Sequence, residues 1–415
     1  MTRSERQEEG IQKWVSNKCR GTLQWATGVG KTRASILAIT KFLNKNPGKK
    51  VVVIVPSDYL KEQWTKVLLE NGFFMNVDVK IINTAIKSNF EADLLIIDEI
   101  HKMAATTFSE IFKVCKYKVV LGLTATIERL DGKQDLILKY CPIVDTITTE
   151  EAINNGWLSP FREYKVLLKV DDLDVYLEWN KKFYEHFAFF NYDFKLAMDC
   201  VTEYKVRNNL ANLLYTGKDP IQKSAMNKIV HAHAFGFIKA LKSRKEFIYN
   251  HPKKIEIANL ILQHRQDRKA VTFSKSIKMA EKIKYGQVLH SKQSKKKNKI
   301  TAEEFELMDI GVLNTSKSIN EGADISKLNL AILLGIDSSD TTKIQQRGRV
   351  IRWEKDKEAE LFTLVIEGTV EEEWFRKSNK GISFVTLDEF QLKNLLEGKE
   401  VIFKKNKETT MSFQF

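Results

Sequence analysis

No apolar run in this sequence approaches the roughly 18 residues that crossing a bilayer requires, so no membrane partner is expected. Cysteine is scarce: Cys19, Cys115, Cys141 and Cys200 lie far apart, and none forms a CxxC pair. That spacing suggests neither a disulfide framework nor a zinc ribbon and implies reduced thiols. His231 and His233 form an HxH pair, but no cysteine or acidic ligand stands near them, so both read as ordinary helix residues. The opening decapeptide MTRSERQEEG lacks the apolar core of a secretory signal, which sets the expected location in the cytoplasm or on the nucleoid. Acid is in deficit too. Against 67 Lys+Arg stand 53 Asp+Glu, a net charge of +14, which favours polyanionic partners such as nucleic acid and equally serves solubility.

What is present is a long and ordinary globular composition. At 415 residues, 43% hydrophobic and 29% charged, the chain exceeds one α/β domain and suits two of them with an insertion. Short apolar runs recur at VVVIV from Val51, LLII from Leu94, VVLGL from Val119, AVTF from Ala270, GVL from Gly311, AILL from Ala331 and LFTLVI from Leu361. Nearly uninterrupted and rich in β-branched residues, they predict strands covered on both faces. Amphipathic stretches of helical length lie between them, such as 32–43, 59–70, 253–264 and 275–284. The alternation predicts an α/β fold of two parallel-sheet domains joined by crossover helices. Between the two strand-rich parts, residues 171–249 carry Tyr176, Trp179, Phe183, Tyr184, Phe187, Phe189, Phe190, Tyr192 and Phe194 on helical spacing with Lys and Arg between them. This is a helical arm, and two readings stand: aromatics that stack on bases, or a helical hairpin that buries them. The expected division is a first domain over 1–162, an arm over 163–250 and a second domain over 251–415. A lysine cluster, SKQSKKKN from Ser291, reads as a solvated loop able to touch a phosphate backbone.

Three segments carry chemistry. The first is Trp25-Ala26-Thr27-Gly28-Val29-Gly30-Lys31-Thr32, where two glycines let the backbone wrap phosphates. A helix N-terminus would aim its N–H groups at them, Lys31 would meet the β- and γ-phosphates, and the Thr32 hydroxyl would reach Mg²⁺. In the second, the strand LLII ends in Asp98-Glu99-Ile100-His101, giving adjacent carboxylates: Asp98 for the metal and Glu99 as base for the attacking water. The third is Gln345-Gln346-Arg347-Gly348-Arg349-Val350-Ile351-Arg352. There Arg349 and Arg352 share one helical face at i and i+3, the spacing of arginine fingers that reach a phosphate across a cleft.

Together these segments resemble the superfamily 2 helicases, in that family's order and through almost the whole chain. The phosphate loop is similar to the ATGxGKT form found in helicases, and DEIH, with Glu99 and His101, is close to the DEAH and DECH boxes. The resemblance implies two RecA-like domains with a helical insertion between them, and ATP with Mg²⁺ as cofactors. Gln7 sits where the family's adenine-reading glutamine lies, with Ser4 where an arginine is often found. VVVIVPSDYLKEQW, with Pro56, Gln63 and Trp64, and IINTAIK, with Asn83 and Thr84, resemble segments that contact the nucleic-acid backbone. GLTAT, with Thr124 and Thr126, resembles the motif that links hydrolysis to domain movement. In the second half, VTFSKS with Phe273 and Ser274 resembles motif IV, which implies a nucleic-acid or coupling role for Ser274. NTSKSINEGADI, with Thr315, Ser316, Glu321, Gly322 and Asp324, resembles motif V, which in the family touches nucleic acid and nucleotide. QQRGRVIR, with Gln345, Arg349 and Arg352, is similar to motif VI.

GLTATIERLDG and EAINNGWLSPF are similar to the DNA-directed branch that holds XPB-like helicases, the motors of type I and III restriction enzymes and the phage helicase UvsW. What this implies is a DNA helicase or translocase that unwinds or remodels DNA, single-stranded, duplex or branched, in recombination or repair. RNA is the less favoured partner. Three alternatives remain: a duplex translocase without strand separation, a nucleotide-switched binding subunit, and a restriction motor, for which no nuclease carboxylate cluster is visible. The small size fits a viral or mobile-element origin.

Overall fold

A computed structural model describes residues 1–401 apart from 74, 88, 105–107, 128–133, 317–324, 326, 338–342, 344–345, 349, 351–357 and 380–381. The first domain is built on six strands: β1 (Arg20–Trp25), β2 (Val51–Val55), β3 (Val77–Ile81), β4 (Phe90–Asp98), β5 (Cys115–Thr124) and β6 (Ile143–Ile147). They lie in the order β3, β2, β4, β5, β1, β6, and every pairing is parallel. A sheet clad on both faces needs apolar side chains at odd and even positions alike. VVVIV of β2 supplies them and is buried at all five residues. One face packs Leu23, Val53, Ile96 and Leu121 against helix α2 (Lys31–Lys45) and helix α3 (Asp58–Glu70), and the other packs Val52, Leu95, Ile97 and Val120. Helix α1 (Arg3–Ser16) precedes the sheet and starts at a reciprocal cap between Thr2 and Glu5.

The second sheet contains β7 (Phe161–Leu168), β8 (Lys269–Ser274), β9 (Gln287–His290), β10 (Gly311–Ser316), β11 (Leu330–Leu333), β12 (Ala359–Ile366) and β13 (Val385–Leu387). Its order is β13, β7, β12, β11, β8, β10, β9, again parallel throughout. The division of the chain therefore differs from the expected one. Residues 161–168 pair with β12 along their whole length, so the second domain begins before the arm, and the arm is an insertion after that domain's first strand. The strand escapes a search for apolar runs because Glu163 and Lys165 interrupt FREYKVLL.

The arm comprises helices Leu173–Ala188, Phe194–Thr202, Tyr204–Leu214 and Pro220–Asn250. At 1.5 Å per residue the last is about 46 Å long. Phe183, Phe190, Val230, Ala234 and Phe237 form a core of the arm's own, with Trp179, Phe187 and Phe189 packed against it. Tyr176 belongs instead to the second domain's core, and its hydroxyl accepts from the Val370 amide. Most of the aromatic stripe is thus packing, while Tyr184, Tyr192 and Phe194 stay exposed. His233 stacks on Phe189 at 4.0 Å, with its Nδ1 3.3 Å from that of His186. The lysine cluster is only partly loop, since a helix starts at Lys295.

One polar cluster lies inside the second domain. Glu163 of β7 is 2% exposed and receives Arg347 Nε at 2.9 Å, Lys343 Nζ at 2.7 Å and Asn379 Nδ2 at 2.6 Å. Lys343 also lies 3.6 Å above the Phe375 ring. Desolvation would raise the Glu163 carboxyl, but Arg347 and Lys343 outweigh it and hold the group down to about 2. Its folded value lies below the ordinary 4.5, so its stabilisation is full above about 4.5 and is lost as pH falls toward 2. Glu163→Gln removes the anion from the buried Arg347 guanidinium and from the Lys343 amine, which burial already pushes down to about 7, a loss of about 3 to 5 kcal/mol. Urea unfolding at pH 7 should show that loss, and between pH 4.5 and 2 the variant's stability should fall less steeply than the parent's. Superimposable curves would refute the assignment.

Candidate nucleotide-hydrolysis site

The phosphate loop fills the turn from the carboxyl end of β1 to the start of α2. Gly28 and Gly30 both adopt φ +93°, a conformation that L side chains rarely reach, and Gly30 is the residue at which α2 begins. Trp25, which replaces glycine at the first position of the common pattern, is wholly buried; its indole N–H donates to Asp145 Oδ2 at 2.7 Å. A methyl group added at Gly10 would lie 2.3 Å from that indole, so α1 must carry a glycine there. Asp145 also receives Arg6 and Lys13, which fixes α1 beside the loop. From α1, Gln7 Nε2 donates to the Val29 carbonyl at 2.8 Å, while its Oε1 is buried without a hydrogen-bond partner. Arg3, next to the serine at the family's arginine position, donates through Nε to Val29 O at 3.1 Å and through Nη2 to Gly28 O. The sequence reading missed Arg3 because it lies one residue out of register.

The Lys31 ammonium rests on the Trp25 carbonyl at 3.0 Å. Desolvation lowers it from the ordinary lysine value, against the pull of Glu99 and Asp98. Asp98, at the end of β4, is pushed up to about 6 by burial and by the Glu99 charge, with the Trp64 indole, Lys31 and the Glu99 amide opposing. Its Oδ2 accepts from Trp64 Nε1 at 2.9 Å and its Oδ1 from the Glu99 amide at 3.0 Å. Glu99 itself sits at φ +50°, a strained conformation for a residue with a side chain. Its Oε2 lies 3.3 Å from His101 Nδ1 and has no hydrogen-bond partner. His101 Nδ1 is in turn 3.0 Å from Thr124 Oγ1, whose hydroxyl donates to the Thr126 carbonyl and accepts from the Thr126 amide at 3.2 Å. A chain of contacts therefore runs from Glu99 to Thr126. A buried ammonium, two adjacent carboxylates and a glycine-built loop at a helix start fit a nucleotide phosphate with a divalent cation, and Asp98 with Thr32 could hold that cation.

The second domain reaches this site. Residues 346–348 are helical, and a Cβ at Gly348 would lie 2.2 Å from the Thr27 side chain of the phosphate loop. Ala26, Thr27 and Ala125 from the first domain and Arg347, Gly348 and Ser378 from the second line one cleft. Gln345, Arg349, Arg352, Glu321, Gly322 and Asp324 lie outside the described residues. Of the residues expected to meet nucleic acid, Asn83 and Thr84 are exposed in a short helical turn after β3, while Pro56, just before α3, and Gln63, within it, are half-buried. Trp64 is a correction: only 2% exposed, it faces the sheet and Asp98 instead of a surface. Ser274, Thr315 and Ser316 need the same correction, being 5%, 1% and 3% exposed. Ser274 Oγ reaches the Thr315 carbonyl at 3.0 Å and Thr315 donates to Thr272 O at 3.0 Å, so these side chains tie β8 to β10.

Residues 1–88 and 78–129 match the model of the type III restriction enzyme res subunit, and residues 253–354 match that of the helicase conserved C-terminal domain. The DNA 3'-5' translocase XPB2 of Sulfurisphaera tokodaii is 25% identical over 390 residues, which span 88% of this chain and 82% of the relative. Among solved structures, the Hef helicase domain of Pyrococcus furiosus matches with a TM-score of 0.50 at 19% identity, over 89% of this chain and 97% of that one. S. cerevisiae Dbp5 bound to RNA and ADP BeF3 matches with a TM-score of 0.58 at 13% identity, over 94% and 91%. Both are likenesses of fold: two parallel-sheet domains of the RecA-like kind.

The cleft yields a steric test. Gly348→Val places a branched side chain where Thr27 stands and should hold the domains apart. ATP turnover should fall by roughly two to three orders of magnitude, as expected when catalytic groups supplied across a cleft are withdrawn. Binding of a fluorescent ADP to the first domain should persist. Turnover at the parent rate would show that this contact plays no part in hydrolysis.

Proposed function

This chain belongs to the superfamily 2 helicases, ATP-dependent enzymes, and on that premise we propose that it is a motor on DNA that unwinds or remodels branched DNA. The observation that carries the reading is the meeting of Gly348 with Thr27, which brings a segment of the second domain onto the phosphate loop of the first. In this account Lys31 holds the β- and γ-phosphates, and Gln7 offers its free Oε1 to the base. Glu99 takes the proton of the attacking water, and His101 keeps that carboxylate in touch with Thr124. A cation held by Asp98 and Thr32 would supply neutralisation of phosphate charge. Arg349 and Arg352 close on the γ-phosphate from the second domain. Loss of that phosphate removes what the two domains share, so the cleft opens. Nucleic acid gripped near Pro56, Gln63, Asn83 and Thr84 is moved as it does so.

The name of the Sulfurisphaera relative, a DNA translocase, supports DNA over RNA and also supports a second reading, movement along duplex without strand separation. The deciding experiment is ATP hydrolysis by the purified chain, alone and with single-stranded, duplex and branched DNA and with single-stranded RNA, at one salt concentration. Stimulation strongest with duplex or branched DNA is expected, with strand release from forked substrates, and Lys31→Ala should abolish turnover in a folded protein. Stimulation by RNA alone would overturn the choice of substrate. Translocation on duplex without strand release would favour the second reading, and no hydrolysis under any condition would leave only a nucleotide-switched binding subunit.

A further inference from the structure

Trp64 is buried in the first domain's core, yet its polar edge is committed to the site. The indole nitrogen is a donor and nothing else, and it donates to Asp98 Oδ2 at 2.9 Å. The other oxygen of that carboxylate is held by the backbone amide of Glu99 at 3.0 Å. Two donors on two oxygens fix the plane of the carboxylate, and only one of them comes from outside the loop that follows β4.

That outside donor stands on α3. The helix begins at the Ser57 cap, immediately after Pro56, and Gln63 Nε2 donates to the Tyr59 hydroxyl on its outer side at 3.1 Å. Trp64 is the next residue and points the other way, into the core with Leu68. Successive residues of a helix are separated by about 100°, so a contact at Gln63 and a contact at Trp64 can be made at once by different faces of one rigid rod. A shift of α3 against the sheet changes the distance from the indole to Asp98, because β4 and its carboxylate are fixed by pairing with β2 and β5.

We propose that Trp64 is a positioning residue that orients the Asp98 carboxylate toward a divalent cation and, riding on the helix that also carries Gln63, passes engagement of nucleic acid to that cation site. The inference rests on the reading of the chain as an ATP-dependent motor on nucleic acid. It adds the physical link between that motor's two ligands.

The test uses the full chain and a fluorescent ADP, titrated with Mg²⁺. In Trp64→Phe, which keeps an aromatic ring and loses the donor, the half-saturating Mg²⁺ concentration should rise about tenfold, the loss expected when a charged acceptor loses one hydrogen bond. Affinity for the same ADP without Mg²⁺ should stay as it was. Duplex DNA should lower the half-saturating Mg²⁺ concentration in the parent and leave it unmoved in Trp64→Phe. Trp64→His, whose Nε2–H reaches about as far from the backbone, should restore part of the loss. Should either variant fail to fold, the parent protein with ¹⁵N-labelled indoles carries the test: the indole resonance that Asp98→Asn displaces should move when Mg²⁺ is added to the ADP complex, and again with DNA. Equal half-saturation in Trp64→Phe and the parent, or an indole resonance that Mg²⁺ leaves in place, would overturn the proposal. A parent chain that binds no ADP with Mg²⁺ would fail at the earlier step, the reading of the site itself.

Discussion

A glycine at 348 leaves the helical segment of the second domain without a side chain at the point where it faces Thr27, and no larger residue fits that space without displacing one of the two. From this approach follow the position of the cleft and the residues that line it. Arg347, one residue earlier, turns inward to Glu163 and anchors the segment to β7, while Asn379 braces the same carboxylate from the chain beyond β12. The anchor is costly to desolvate and is therefore satisfied on every side by charge or amide. In consequence the segment facing the phosphate loop is held to a fully paired sheet, and movement of one sheet against the other is felt at the loop.

The first domain meets that segment with groups whose protonation and direction are set by their neighbours. Lys31 and Asp98 lie close enough to affect each other: burial disfavours the charge on both, their mutual attraction opposes that, and the neighbouring Glu99 charge supports Lys31 but pushes Asp98 further up. The carboxyl ends of β1, β4 and β5 deliver the phosphate loop, the two carboxylates and Thr124 to one edge, where Asp98 is in register with Leu123 and Gln24 with Thr124. The line from Glu99 through His101 to Thr124 and Thr126 crosses from one strand end to the next, a path of direct contacts into the backbone that follows β5, along which the proposed mechanism would transmit hydrolysis.

Features that depend on local pattern were legible in the sequence. The glycines at 28 and 30, Lys31 at the start of a helix, and a run of apolar residues ending in Asp98 and Glu99 are short-range signals, and each has a conformational or chemical reason that survives in any fold. Features set by long-range pairing were not. FREYKVLL looked unlike a strand because Glu163 meets Lys343 and Arg347 some 180 residues away in sequence. Trp64 shares with Gln63 the motif that resembles a nucleic-acid contact, but neighbours in sequence share a motif and not a helix face. For Ser274 and Thr315 the resemblance to motifs IV and V implies a ligand, whereas the adjacent strand satisfies their side chains. The arm's two readings could be separated only by seeing which aromatics are buried in the arm's own core and which stay exposed.

The most direct test of the central claim, that the nucleotide governs contact between the two sheets across Gly348 and Thr27, is a distance between them. Spin labels at Lys66 on α3 and Lys299 in the second domain, both largely exposed, would report it by pulsed electron resonance. A broad distribution is expected without nucleotide, a single sharp one with a non-hydrolysable ATP analogue and DNA, and a broad one again with ADP. One unchanged distribution across all three states would contradict the claim.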